Sequence, residues 1–301
     1  MASHLLIVNP VAGSGEGRTR AKELVEALGP DHEVEVVETA ERGDATRLAA
    51  EHATDVDRIL AVGGDGTLNE VLSGLMQRRE DGEEVAALGF LPAGTANGAC
   101  RAFDLATEPA EAAASLANPE TMPVDVGTAR HEGGERHYLI RFGAGLDAAV
   151  LEELNASRSG MMGFLGVFRN VPRIIRVMRA YDDPDIAVEV DGEPFGRGAS
   201  VVLSNVAEVG LAATVDEEAD PSDGLLEVLT VPMPSKWDIV RYGLRMVASS
   251  LASAPEVRKT RGRVVRLTSE GDVPFQADGE PVGRLPVEVE LTHAPVRLLL
   301  T

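Results

Sequence analysis

"AVGGDGTLNEV" runs from Ala61 to Val71, and its reading decides the architecture of the first half of the chain. The apolar residues before it suit a buried strand, and "LNEVLSGLMQ" after it has helical spacing. Between them stand Gly63, Gly64, Asp65, Gly66 and Thr67. Glycines let a backbone approach a ligand closely and adopt positive φ. Amides at such a turn and at a helix start bind anionic oxygens. Asp65 offers a carboxylate where Mg²⁺ on a nucleotide could be held. Thr67 and Asn69 can donate to phosphate oxygens. The plainer reading is a tight strand–helix turn, but five such residues in one turn favour phosphate binding.

Working outward, the first 125 residues alternate strand-like and helix-like patterns. "HLLIVNP" is a short apolar strand. A helix follows with Ala21, Leu24, Val25 and Leu28 on one face and Gly29 as its stop. "EVEVVET" alternates with period two, and "GDATRLAAEHA" is a second helix that Asp44 can cap. "AALGFLPAGT" is another strand into a turn. This alternation predicts a parallel sheet covered by helices, with ligands at the carboxyl ends of its strands.

From about Asp125 the pattern changes to short strands divided by turns: "RHYLIRFGAG", "DIAVEVDGEPF", "ASVVLSNV", "GLLEVLTV", "RVVRLTS", "PVEVELT" and "VRLLLT". These predict a mostly antiparallel β-sandwich or barrel, interrupted by helices near Gly163–Ala180 and Lys236–Ala252. The expected division is residues 1–125, an α/β domain, and 126–290, a β-rich domain. The tail, about 291–301, is a candidate to return to the first.

The 301 residues include 49 acidic and 28 basic side chains, a formal net charge of −21. Such a charge repels nucleic-acid phosphate and excludes that partner. It suits solubility at high salt, as in a halophilic cell. The single cysteine, Cys100, rules out a disulfide framework and fits a reducing cytoplasm. "MASHLLIVNP" is too short an apolar run for a signal peptide. No stretch approaches the roughly 18 apolar residues of a membrane span.

Other nucleotide motifs fail. There is no G-x-x-x-x-G-K-[ST], and "GSGEG" at Gly13 does not match G-x-G-x-x-G. Instead "NPVAGSG" (Asn9–Gly15), "GGDGTLNEV" (Gly63–Val71) and "LPAGTANGAC" (Leu91–Cys100) occur in order. "DVG" at Asp125, "GAGLDAAV" at Gly143, "DPSDGLLEV" at Asp220 and "ADGEP" at Ala277 follow. With these motifs the chain resembles, over nearly its whole length, the diacylglycerol kinase catalytic-domain family. That family includes bacterial lipid kinases and sphingosine kinases. GGDGT is shared with NAD kinases, whereas SDGLLEV followed by a terminal DGE favours the lipid-kinase branch.

The resemblance implies ATP and Mg²⁺ as cofactors, with ATP lying between an α/β and a β-rich domain. It implies nucleotide contacts at Thr39, Gly63, Gly64, Asp65, Gly66, Thr67, Leu68, Asn69, Gly94, Thr95 and Asn97. It implies a Mg²⁺ loop at "DPSDGLLEV", with the Asp223 carboxylate and the backbone carbonyls of Asp220 and Leu225 as ligands. Without the resemblance, that loop is equally an acidic turn before a strand. The carboxylate of the last Asp-Gly-Glu, Asp278, is implied as general base toward a lipid hydroxyl, with Glu280 beside it. Asp65 and Asp125 are implied to organise a carboxylate and metal network. The family usually has an acid after the Asn of "GTAN"; here Gly98 stands there. One negative charge is missing from that network, which leaves a catalytically impaired nucleotide- or lipid-binding regulator as an alternative. A kinase of a soluble substrate, of the NAD-kinase type, is the other.

Asp-Gly-Glu-Pro also occurs at Asp191. Both copies have the Asp-Gly signature of a two-residue hairpin turn. Asp191 matches no family motif and reads as a turn alone.

Leu154–Tyr181 contains no acidic residue but holds Arg158, Arg169, Arg173, Arg176 and Arg179. Arg169, Arg173 and Arg176 share a helical face, and "GMMGFLGVF" precedes them. A second basic run comprises Arg258, Lys259, Arg261, Arg263 and Arg266. Basic and apolar residues together suggest contact with a lipid substrate at a membrane surface, so the expected location is cytoplasmic and peripherally membrane-associated. An ordinary amphipathic element with a buried apolar side explains the isoleucines equally well. Oligomeric state is open, a homodimer among the options.

Overall fold

The computed structural model describes residues 2–94, 97–156, 172–174, 176, 177, 179–181, 184–207, 219–232 and 254–300. The chain forms two compact units: Met1–Val124 with Ala294–Thr301, and Asp125–His293.

The first unit alternates β1 (Ser3–Val8), α1 (Glu16–Leu28), β2 (Glu33–Glu38), α2 (Asp44–His52), β3 (Arg58–Gly63), α3 (Asp65–Glu80) and β4 (Ala87–Pro92). Two further helices follow, α4 (Gly98–Phe103) and α5 (Pro109–Ala117). The strands lie in the order β2-β1-β3-β4, all parallel. Leu5, Leu6 and Ile7 are wholly buried, as a parallel strand covered on both faces requires. Leu24 and Leu28 of α1 pack with Leu6, Val8, Leu60, Val62 and Leu116. Burying each such leucine contributes about 1.5–3 kcal/mol. Gly29 ends α1 and its N–H donates to the Val25 carbonyl.

Asp44 does not cap α2. Gly43 occupies that position, and Asp44 is the first helical residue. Its carboxylate instead accepts the N–H groups of Ala40 and Glu41 in the preceding turn. Those two bonds hold its pKa below the ordinary value. The helices α4 and α5 were absent from the sequence reading. Pro109 opens α5, where its missing N–H costs nothing. The alanine-rich run after it has little hydrophobic contrast to reveal a period.

The second unit contains β5 (Glu120–His131), β6 (Gly134–Tyr138), β7 (Arg141–Gly145), α6 (Leu146–Ala156), β8 (Ile186–Val190), β9 (Glu193–Gly198), β10 (Ser200–Ser204) and β11 (Leu226–Val231). It continues with β12 (Arg258–Gly262), β13 (Val264–Thr268), β14 (Pro274–Ala277), β15 (Glu280–Arg284) and β16 (Val287–Leu300). The beginning of β5 and the end of β16 belong to the first unit, where Leu298 pairs with Leu88 in parallel. One sheet runs β16-β13-β8-β9, with β5 on β16 and β6 on β5; the other runs β12-β11-β10-β7-β14-β15. Val188, Val265 and Val289 of the first sheet share a core with Phe142, Val201, Val228 and Phe275 of the second. The unit is therefore sandwich-like, as expected.

Three boundaries differ from the sequence reading. "RHYLIRFGAG" is two strands, β6 and β7, parted at Leu139 and Ile140. "PVEVELT" and "VRLLLT" fall in one strand of 14 residues. The run at Arg258 is the strand β12. Most of the helix expected at Gly163–Ala180 and all of that at Lys236–Ala252 lie outside the described residues. Residues 172–174, 176, 177, 179 and 180 are helical.

Candidate active site

Two regions gather the residues singled out in the sequence, one in each unit. In the first, β3 ends at Gly63 and α3 begins at Asp65, with Gly64 as an N-cap that has no side chain to satisfy the helix amides. The first N–H groups of any helix lack partners within it, so this end of α3 presents donors and a partial positive charge. Gly64 faces Gly94 of the β4–α4 connection: a Cβ on Gly94 would lie 2.8 Å from the Gly64 Cα. Two strand-end turns thus approach at a distance that only glycine permits. Asp65 reaches across, its Oδ1 accepting the Ala99 N–H at 3.2 Å. Thr67 Oγ1 accepts from Asn9 Nδ2 at 3.3 Å, which draws the "NPVAGSG" turn to the same strand ends. Among the described residues, Asn69 and Asn97 each have a buried side-chain oxygen without a hydrogen-bond partner. Buried polar groups normally have partners, so the two amide oxygens suit a ligand that donates, such as a hydroxyl, while the donor-rich backbone suits an anionic phosphate. Thr39, at the end of β2, donates through N–H and hydroxyl to the Val8 carbonyl. Leu68 is buried within α3. Thr95 lies outside the described residues. Gly98 is the first residue of α4, where the usual acid would stand. Cys100 of the same helix is buried; burial, and secondly Asp65, push its thiol up to about 12.

In the second unit the residues meet at the β14–β15 turn. Asp278 has φ 47° and Gly279 φ 82°, values suited to the two-residue hairpin turn. The Asp278 carboxylate accepts three backbone N–H groups, those of Leu139, Ile140 and Arg141, each at 2.9 Å. These amides form the break between β6 and β7. Glu280 pairs with Arg136 Nη2 at 2.6 Å. Buried Tyr138 lies nearby; burial, and secondly the Asp278 charge, raise its hydroxyl well above the ordinary pKa.

Sequence reasoning assigned no role to Asp147, although it stands in the quoted "GAGLDAAV". Its Oδ2 accepts Gln276 Nε2 at 3.1 Å, and Gln276 Oε1 accepts the Gly279 N–H. Among the described residues its other oxygen, which is buried, has no hydrogen-bond partner. The available signal was positional, since Asp147 stands at a helix start just after a strand-end glycine, as Asp65 does.

Asp125 is wholly buried. Its Oδ2 accepts the Gly224 N–H at 2.7 Å and its Oδ1 lies 2.9 Å from His293 Nδ1. Gly224 belongs to the loop expected to hold Mg²⁺. In that loop Asp220 Oδ1 accepts the N–H and hydroxyl of Ser222. Asp223 accepts the Leu225 N–H and pairs with Arg261. Arg261 also lies 2.6 Å from buried Glu227, with Lys259 at 3.8 Å. Thus the Asp223 carboxylate already has a cation, and the donor set of Asp220, Asp223 and Leu225 as arranged does not fit a further Mg²⁺.

The second basic run has partners within its own unit, although Arg258, Arg261, Arg263 and Arg266 stay exposed. Lys259 and Arg261 face Glu227, Arg266 pairs with Glu288, and Arg263 Nε donates to the Leu291 carbonyl. Arg258 stacks on Phe195, 4.8 Å from its centroid. Lys259, Arg261 and Arg266 thus sit against acids of their own unit. Arg158, Arg169 and "GMMGFLGVF" lie outside the described residues; Arg176 and Arg179 are exposed and Arg173 is half-buried. Among the described residues no helix is long and apolar enough to cross a membrane.

Residues 3–129 match the family model of the diacylglycerol kinase catalytic domain, and residues 141–300 match that of the YegS C-terminal NAD kinase beta sandwich-like domain. The "Probable lipid kinase YegS-like" protein of Stenotrophomonas maltophilia (strain K279a) is 30% identical over 277 residues, covering 89% of this chain and 87% of that protein. The diacylglycerol kinase of Bacillus subtilis (strain 168) is 23% identical over 287 residues, 94% of this chain and 91% of that one. A crystal structure of a diacylglycerol kinase from Bacillus anthracis str. Sterne matches 100% of this chain and 97% of its own. Its TM-score is 0.75 at 22% identity, a likeness of fold.

Proposed function

Since the chain belongs to the diacylglycerol kinase catalytic-domain family, we propose that it is a lipid kinase, transferring the γ-phosphoryl group of ATP to a hydroxyl of diacylglycerol or a related long-chain lipid alcohol. The observation that carries this reading is the glycine-walled end of α3, where Gly64 and Gly94 face each other and Asp65 bridges to Ala99.

Bound ATP with its Mg²⁺ supplies the phosphoryl group and neutralises charge on its oxygens. The chain's own work is positioning. The amides at the start of α3, with Thr67 and Asn69, hold phosphate oxygens. Gly63, Gly64, Gly66 and Gly94 keep side chains out of the way, and Thr39, Leu68, Thr95 and Asn97 complete the nucleotide contacts. Asp65 would serve the nucleotide's metal ion; Asp125 takes that role only from the family resemblance. Asp278, fixed by its three amides, takes the proton from the attacking lipid hydroxyl. Glu280, tethered by Arg136, shapes the same turn.

The test is transfer of labelled γ-phosphate from ATP to a panel of lipids, with the products partitioned. Label in the organic phase supports a lipid kinase. Label in the aqueous phase on a soluble acceptor such as NAD overturns it. ATP binding without transfer would mark the regulator that Gly98 permits.

A further inference from the structure

Gln276 is wholly buried, and both ends of its amide are used. Nε2 donates to Asp147 Oδ2 at 3.1 Å, and Oε1 accepts the Gly279 N–H at 2.8 Å. The side chain therefore reaches over the turn that its own strand enters. A carboxylate only accepts and a backbone N–H only donates, so the amide fits between them one way round. The Gly279 N–H belongs to the peptide that joins it to Asp278. Holding it fixes that peptide plane, and with it the left-handed backbone of Asp278, φ 47°, which is uncommon outside glycine. Asp147 stands in the first turn of α6. Gly143 of β7 pairs with Gln276 of β14, and a Cβ on it would lie 2.0 Å from Asp147 Oδ2 and 2.7 Å from Gln276 Nε2. The two side chains thus meet in space that only glycine leaves. Arg141 Nη1 lies 4.0 Å from the same Asp147 oxygen, and the Arg141 N–H is one of the three that Asp278 accepts. All these residues lie in the second unit.

We propose that Gln276 and Asp147 are positioning residues for Asp278. Asp147 sets which way round the Gln276 amide lies, and the amide sets the peptide that follows Asp278. The three amides that Asp278 accepts direct its carboxylate, while this relay fixes the backbone from which the carboxylate projects. The proposal rests on the reading above in which Asp278 takes the proton from the lipid hydroxyl. Neither positioning residue has to touch the lipid, since a misplacement of about 1 Å can cost on the order of 10²-fold in rate.

The experiment follows γ-phosphate transfer from ATP by the full chain to dioctanoylglycerol, or to whichever lipid of the panel takes more label. It is run at a temperature where circular dichroism shows every variant folded, so that lost stability alone leaves kcat unmoved. Gln276→Glu sets two carboxylates against each other. It is expected to lower kcat about tenfold or more, with KM for the lipid and for ATP little changed. Asp147→Asn keeps an accepting oxygen for Gln276 and loses only the charge on that bond, so a fall of about threefold is expected. In the double variant the new amide donates to the new carboxylate, whose other oxygen accepts the Gly279 N–H. Its kcat is expected to return most of the way to native, a coupling that the single variants do not show.

Native kcat in Gln276→Glu overturns the proposal, as does a double variant no better than Gln276→Glu alone. So does a loss that falls on KM for the lipid instead of kcat, which would make the pair a substrate contact. A loss in Asp147→Asn as deep as in Asp278→Asn would make Asp147 the base and overturns it too. If Gln276→Glu alone does not fold, Asp147→Leu, which removes the acceptor without adding charge, is expected to show the same loss in kcat, and native kcat there overturns the proposal. Asp278→Asn separates the two levels. If it leaves transfer intact, or if the native chain labels no lipid, the reading above fails and takes the relay with it. If Asp278→Asn abolishes transfer while Gln276→Glu and Asp147→Leu keep native kcat, only the relay falls.

Discussion

The hairpins β8–β9 and β14–β15 carry the same tetrapeptide and the same local structure. Asp191 and Asp278 have φ 51° and 47°, and the following glycines 85° and 82°. Val190 pairs with Glu193 as Ala277 pairs with Glu280, and the register shifts at Val188/Glu189 as it does at Phe275/Gln276. Each aspartate also caps backbone N–H groups of a distant strand: Asp191 Oδ1 takes those of Arg263 and Val264, and Asp278 takes three with both oxygens. The difference begins one shell outward. Two residues before Asp191 stands Glu189, partly exposed and 3.7 Å from Arg266. Two residues before Asp278 stands Gln276, wholly buried and joined to Asp147. A turn motif therefore says how a carboxylate is aimed, while its surroundings say whether there is chemistry to aim it at.

The strongest way to break this comparison is Asp278→Asn against Asp191→Asn. Asparagine keeps the positive φ and an accepting oxygen but removes the charge. Phosphate transfer to lipid is expected to fall on the order of 10²–10⁴-fold in the first variant, the usual contribution of a positioned base. The second should stay within about twofold, since asparagine keeps the Oδ1 that accepts both the Arg263 and the Val264 N–H. Equal activity in the two variants would show that the hairpins are equivalent and that the base lies elsewhere. Asp147, joined to the same turn through Gln276, is the next carboxylate to test.

A smaller effect sharpens the contrast one shell out. Gln276→Leu removes a donor to Asp147 and the acceptor of the Gly279 N–H; both groups are part-buried, so each lost bond should cost about 1 kcal/mol. Glu189→Gln should change stability by about 0.5 kcal/mol or less. Urea melts of the two variants measure the difference. Matching midpoints would mean that the buried network does not support its hairpin.

Much of this was legible in the sequence, for identifiable reasons. The buried run Leu5–Val8, the stop at Gly29 and the turn at Gly63–Asn69 depend on neighbours close in the chain, so local pattern sufficed. Both hairpins were visible for the same reason. The break at Leu139 and Ile140 was not, because the carboxylate that caps it comes from 138 or 139 positions away. Nor was the fate of Arg261, whose strand-mate Glu227 is its register partner only after folding. A run of basic residues looks the same in one dimension whether it faces solvent or a buried acid. The contacts of His293 with Asp125 and of Asp147 with Gln276 escaped because the partners lie far apart along the chain. The alanine-rich α5 escaped because nothing in it alternates.

The smallest expected effect tests whether the two hairpins respond differently to acid. His137 of β6 is buried, its Nδ1 3.0 Å from Thr128 Oγ1. Burial lowers its pKa; Arg130 and Arg136 add to this and Glu135 opposes it. A histidine whose folded pKa lies below its unfolded value near 6.5 gives full stability above that value. Stability is then lost as pH falls from 6.5 toward the folded pKa, because the opened state binds the extra proton. Residues 139–141, whose amides Asp278 caps, follow His137 directly in the chain. Arg263 and Val264, capped by Asp191, begin a strand that carries no histidine. Amide hydrogen exchange, corrected for intrinsic rates, should therefore show protection falling between pH 7 and pH 5 at Leu139, Ile140 and Arg141 before it falls at Arg263 and Val264. His137→Asn, which keeps a side-chain partner for Thr128 but cannot take up the proton, should abolish the difference. Parallel loss at both sites in the native chain would show that the β14–β15 hairpin is no more dependent on its buried surroundings than its double.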